Sequence, residues 1–214
     1  MHTTRIVVAV IVLAFASLSE TQTKFDWAST HASKTLGVDF VSPEDVTRVN
    51  GFIYTETQLE ELAKTIPSSR IDVGWLKRGH YILMPAPPEP MSLSAVRGVH
   101  SDSDEGDKTS FGWLAIKKEA VPKSAGKPWH EQLKLLSSNE RVPNAAELVW
   151  YVNTYFKVRG VRLFERIFVR SSSLDTHDKH VVVGFFTDDD PKVCGCTTDG
   201  ADSIVGIAAA GKRK

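Results

Sequence analysis

The chain has 214 residues, 42% of them hydrophobic and 24% charged, an ordinary balance for a folded protein with room for one large domain or two small ones. Lys and Arg number 26 and so do Asp and Glu, so no net field draws the chain to nucleic acid or to an anionic membrane, and neither is expected as a partner. Two cysteines, Cys194 and Cys196, are too few for a disulfide-stapled scaffold, and the core must come from packing.

The chain opens "MHTTRIVVAVIVLAFASLSETQT". Arg5 precedes an apolar run from Ile6 to Leu18, shorter than the about 20 residues a bilayer core requires, and small polar residues follow. That order fits an export signal over residues 1–19, with cleavage suited after Ala16 or Ser19; the same Ile, Val and Ala also suit a buried strand. The expected address is secreted or cell-envelope, with no stable membrane span once the signal is removed.

Residues 25–86 read as a first unit. "ASTHASKTLG" suits a short helix stopping at Gly37. In "SPEDVTRVNG", Ser42 can cap, Pro43 suits the first helical position, Glu44 and Asp45 favour the positive end, and Asn50-Gly51 stops the helix. "TETQLEELAKTI" places Leu59, Leu62, Ala63 and Ile66 on one helical face. "RIDVGWLKRGHYILMP" reads as extended, with a turn at Gly74 and Gly79 before the last strand. "APPEP" then begins a proline-rich and acidic linker over 87–110; its Asp102, Asp104 and Asp107 lack the distal glutamate of a calcium loop.

Residues 111–214 read as a second α+β unit. "FGWLAIKKEAV" suits a strand, "PWHEQLKLL" and "PNAAELVWYVNTYFKVRG" suit helices, and "VRLFERIFVRSS", "KHVVVGFFT" and "SIVGIAAAG" suit strands of an antiparallel sheet. Leu148, Tyr151, Val152, Tyr155 and Phe156 make a broad apolar stripe with Trp150 at its border, which leaves Glu147 on the exposed side.

Asn50, Leu76, Gly79, Ile82, Met84 and Pro85 stand in the order of the second half of a LysM module, and Asp26 in "FDWASTHASKTLGV" stands where that module carries an aspartate, so residues 25–86 resemble a LysM module. The resemblance implies a βααβ fold that binds polymers containing N-acetylglucosamine, peptidoglycan or chitin. It implies a sugar groove between Asp26 and Trp27 on one side and Gly74, Trp75 and Leu76 on the other. The glycine and threonine flanking the module's aspartate are replaced by Phe25 and Trp27, and a helix is inserted before the closing strand. The second unit resembles the tails of uncharacterised bacterial proteins, a likeness that implies no activity.

Signatures of hydrolytic, zinc-protease or phosphate-loop chemistry are missing. Ser171, Ser172 and Ser173 with Asp175, His177 and His180 supply the parts of a triad, a cluster that reads equally as a hairpin turn. Glu131, Glu140, Glu147 and Glu165 are carboxylates from which a glycosidase pair could be drawn only with geometry. Cys194 and Cys196 with His177 and His180 do not have zinc-finger spacing, and "TDDDPKV" reads as a turn at Asp190-Pro191, so no metal or cofactor is expected. Of five tryptophans, Trp27 and Trp75 stand at loop-like positions where an indole could stack on a pyranose. The expectation is an exported, non-enzymatic glycan-binding protein. A secreted hydrolase with its site near His130, His177 or His180, or a protein-interaction module, are the alternatives.

Overall fold

The computed structural model describes residues 31–67, 69–97, 107–187, 190–197 and 200–212. It is an α+β fold. Residues 31–36 are helical and run into a 3-10 turn at Gly37–Asp39; α1 (Pro43–Asn50), α2 (Glu56–Thr65) and α3 (Arg70–Arg78) follow, then β1 (Tyr81–Pro85) and α4 (Leu93–Arg97). After β2 (Trp113–Lys117) come α5 (Trp129–Leu133), β3 (Glu140–Arg141) and α6 (Ala145–Arg159). The chain ends in β4 (Phe168–Leu174), β5 (His180–Thr187), β6 (Asp190–Cys196), β7 (Val205–Ile207) and β8 (Ala210–Gly211).

The helix ends follow local chemistry. Ser42 accepts from the Asp45 N–H while Asp45 accepts from Ser42, Pro43 fills the first position, and Gly51 takes a left-handed φ of 74° to end α1. Thr55 with Gln58 and Asn144 with Glu147 make the same reciprocal cap for α2 and α6.

Two four-stranded sheets result, in the orders β1-β2-β8-β3 and β6-β5-β4-β7, antiparallel except for the β4–β7 pair. α6 lies among them, against α1, α4 and strands of both sheets. Its Leu148, Val149, Tyr151 and Val152 are wholly buried, each contributing roughly 1.5–3 kcal/mol of apolar transfer. The polar tips of buried rings find carbonyls across the fold: Trp150 Nε1 donates to Pro85 O at 3.1 Å, Tyr151 Oη to Ile116 O at 2.7 Å, Trp113 Nε1 to Leu62 O at 2.9 Å and Tyr54 Oη to Ala86 O at 2.7 Å.

Several expectations are corrected here. β1 pairs along its whole length with β2, from Tyr81↔Lys117 to Pro85↔Trp113, and one hydrophobic core runs from Ala32 to Ala210. At the start of the expected linker Ala86, Pro87 and Pro88 are buried, and Gln58 Nε2 donates to Pro88 O at 2.8 Å; residues 98–106 of that stretch lie outside the described residues. The stretch Arg70–Arg78 is helix rather than extended chain, because Ser69 caps it by accepting from the Asp72 N–H. Among the described residues four helical segments, 31–36 and α1 to α3, therefore precede β1, and the antiparallel partner of β1 comes from beyond residue 111, so the expected βααβ unit is not confirmed. Glu147 is buried rather than exposed, since it caps α6 and pairs with Arg141. The strand expected from residue 161 begins only at Phe168, Phe164 adopting a φ of 58° in the turn before it. Ser171, Ser172 and Ser173 lie within β4 and not in a hairpin turn.

Candidate functional site

Where α3 meets β1, a cleft of about 430 Å³ opens between the helix end and the segment leading to β3. Helical spacing sets Trp75 and Arg78 on one side of α3. Gly79 ends the helix, and its missing side chain makes room for the next aromatic ring: a Cβ there would lie 2.3 Å from Tyr81 Cε2. The Tyr81 ring stacks on the Trp75 indole, centroids 4.6 Å apart and planes inclined by 26°. Gly74 has a related role, because an added Cβ would lie 3.2 Å from Arg78 Nη1.

The floor of the cleft is polar and closed on itself. Register places Lys117 opposite Tyr81, with Nζ 5.5 Å over the ring. Glu140, on β3, receives the Tyr81 hydroxyl hydrogen in a short bond, Lys117 Nζ at 2.7 Å and the Ser137 N–H at 2.8 Å. Burial alone would raise the Glu140 carboxyl, but the bonds from Lys117, Tyr81 and Ser137 outweigh it and hold the group below the usual glutamate range. Burial, reinforced by the bond to Glu140, pushes the Tyr81 phenol far above its ordinary value. One group is fixed as a carboxylate and the other as a phenol. Neither is poised to exchange a proton near neutrality, as a general acid or base must be. Above this floor, Trp75 is half-buried and Arg78 exposed, and Leu135 and Leu136 supply an apolar wall.

A second cleft of about 500 Å³ lies on the other side of β3. Arg141 grips Glu147 there through two bonds of 2.6 and 2.8 Å, and Lys212, Asn144 and Asp107 border it. Ser173 Oγ donates to Asp107 in a short bond and accepts from the Ala145 N–H at 2.8 Å, tying β4 to the start of α6.

Of the residues expected at a sugar groove, Asp26 and Trp27 lie outside the described residues. Trp75 lines the first cleft and Gly74 sits beneath Arg78, whereas Leu76 is a core residue, 3% exposed. Sequence reasoning missed Arg78, Tyr81 and Lys117, the last brought to Tyr81 only through the β1–β2 register.

The triad parts do not converge on either cleft. Ser171 Oγ is committed to Val181 O at 2.8 Å, Asp175 Oδ1 accepts the N–H groups of His177 and Lys179 in a turn, and His177 is exposed. His180 is 6% exposed, its ring tilted by 30° against that of Trp129 with centroids 3.8 Å apart. Among the other carboxylates, Glu131 pairs with Lys127 and Glu165 with Arg162. Among the described residues no three His, Cys, Asp or Glu converge as metal ligands, and no helix is long and apolar enough to cross a membrane. Comparisons with family models, with curated proteins and with solved structures find no match.

Proposed function

We propose that this chain is a non-enzymatic binding protein whose ligand is a carboxylate-bearing saccharide, of the kind found in peptidoglycan, held in the cleft of Trp75 and Arg78. The LysM geometry no longer supports a sugar; the cleft does so on its own terms. The observation that carries the reading is the half-buried Trp75 indole, braced from behind by Tyr81, with the exposed Arg78 guanidinium one helical turn further on. A braced indole is a platform for the apolar face of a pyranose. A guanidinium beside it suits a carboxylate, which favours an acidic glycan over neutral chitin. The locked Tyr81–Glu140–Lys117 floor supports binding without turnover. Export by the N-terminal segment belongs to the same reading and would bring the protein to such a polymer.

Titration of the full chain with soluble muropeptides and, separately, with chitin oligosaccharides tests this, read by calorimetry. Muropeptides are expected to bind more tightly, and Trp75→Ala to weaken both ligands at least tenfold, about 1.4 kcal/mol. Arg78→Ala is expected to abolish the preference for muropeptides. Equal affinities of wild type and Trp75→Ala would overturn the assignment of the cleft.

A further inference from the structure

The cleft of Trp75 and Arg78 has two sides, and both are held in place. On the α3 side the indole rests one face on the Tyr81 ring, which is itself fixed by its bond to Glu140. The far edge of the indole reaches β8, where a Cβ added to Gly211 would lie 3.3 Å from Trp75 Cζ3 and Cη2. The missing side chain at 211 is thus the bed of the ring tip, and the platform has no room to swing toward the sheet.

Leu135 and Leu136 line the other side, on the segment that leads from α5 to β3. That segment is pinned along its length. The N–H groups of Leu135 and Leu136 donate to Gln132 O and Leu133 O at 3.1 and 3.2 Å, and the Ser137 N–H donates to Glu140. Ser138 O accepts from Lys212 Nζ at 2.7 Å and Asn139 O from the Lys212 N–H at 2.9 Å. Leu136 packs against the small core of Val121, Ile207 and Ala209, while Leu135 stays 37% exposed. The cleft therefore has a set width, with apolar surface on both sides and a polar floor between them.

We infer that this cleft selects the stereochemistry of its saccharide: it takes pyranoses whose ring substituents are all equatorial, the gluco configuration, and rejects epimers with an axial hydroxyl, Leu135 being the residue that closes the second face. The inference rests on the saccharide reading of the cleft and adds the ring configuration to it. An all-equatorial ring presents only axial C–H groups on its two faces, which suit an indole on one side and leucine on the other. Its hydroxyls point outward in the ring plane, toward the polar floor, Ser137, Arg78 and water. An axial hydroxyl points into a wall instead, loses its water and gains no partner there. A lone platform would not discriminate in this way, because the galacto ring keeps one face clear of hydroxyls and stacks on Trp75 by that face. Rejection of the axial epimer is the work of the second wall.

The probes are methyl β-D-glucuronide and methyl β-D-galacturonide, which share a carboxylate for Arg78 and differ only in the C4 hydroxyl, equatorial in the first and axial in the second. NMR titration of the full chain gives both dissociation constants. The glucuronide is expected to bind about tenfold or more tightly than the galacturonide. Leu135→Ala, at a partly exposed side chain, is expected to bring the ratio to about threefold or less by admitting the galacturonide. Trp75→Ala is expected to weaken both. Equal affinities in the wild type, a ratio unchanged in Leu135→Ala, or no binding of either uronide by a chain that binds muropeptides would overturn the two-walled selection and leave the Trp75 platform standing. Affinities that Trp75→Ala leaves untouched would instead overturn the saccharide reading on which the selection rests.

Discussion

Glu140 and Arg141 are consecutive residues of β3, yet they serve opposite sides of the molecule: Glu140 bonds Tyr81 and Lys117 in the first cleft, and Arg141 grips Glu147 in the second. Alternation on a strand explains the divergence. A two-residue strand thereby ties β1 and β2 on one side to the start of α6 on the other.

Glu140→Gln keeps the shape of the side chain and removes the charge that gathers three donors. The carboxyl is held below the usual glutamate range of about 4.3. A depressed carboxyl contributes stability that is fully present above the unfolded value and lost as pH falls through the folded one. Glu140→Gln should therefore lose about 2–3 kcal/mol at neutral pH. Its urea midpoint should converge on that of wild type as pH falls from about 4 toward about 2. A difference independent of pH would show that the charge is not what matters.

His180 acts in a separate window. Burial first, and then the Arg170 charge, hold its imidazole below the ordinary value. The unfolded chain therefore takes up the proton before the folded one as pH falls, and stability declines below about 6.5. His180→Phe retains a ring against Trp129 and removes the titration. Wild type should lose urea resistance between pH about 7.5 and about 5.5 relative to this variant; parallel curves would refute the assignment.

Gly184 and Gly160 both have positive φ, 150° and 69°, but only Gly184 is hemmed in, since a Cβ there would lie 2.0 Å from Ile167 O. At Gly160 nothing lies within 4 Å. Gly160→Ala should cost only the left-handed strain, about 1–2 kcal/mol. Gly184→Ala must also displace backbone, and should cost about 3 kcal/mol or more. Thermal denaturation of the two variants ranks them, and equal losses would contradict the close approach.

What was legible in the chain was what local chemistry decides. Ser42, Pro43 and Gly51 bound α1 as expected, the α2 face carries Leu62 and Ile66 into the core, and Trp150 is buried as its place beside the α6 stripe required. The errors share one cause. Gly79 does turn the chain with His80 just before β1, as expected, but Gly74 lies inside the helix, where its missing side chain accommodates Arg78. Of the prolines after β1 that suggested a linker, Pro87 and Pro88 are buried, with Pro88 O bonded by Gln58 of α2, and Pro90 is exposed. The cleft was half visible, through Trp75. Tyr81, Lys117 and Glu140 meet across sheet pairings between distant segments, which no local pattern encodes.

A fragment of residues 31–97 tests whether the first part of the chain is a unit. All five residues of β1 are buried, and without β2 their backbone groups on that side have no partners. The fragment also loses the Trp113 donor to Leu62 O and the Trp150 donor to Pro85 O, both buried. Unsatisfied buried groups cost about 1–3 kcal/mol each, more than a piece this small has to spare. The fragment should show collapsed amide dispersion by NMR and no cooperative thermal transition. Adding residues 107–212 as a separate chain should restore both, because the missing partners all lie there; a sharp transition in the isolated fragment would show instead that the helices before β1 carry a core of their own.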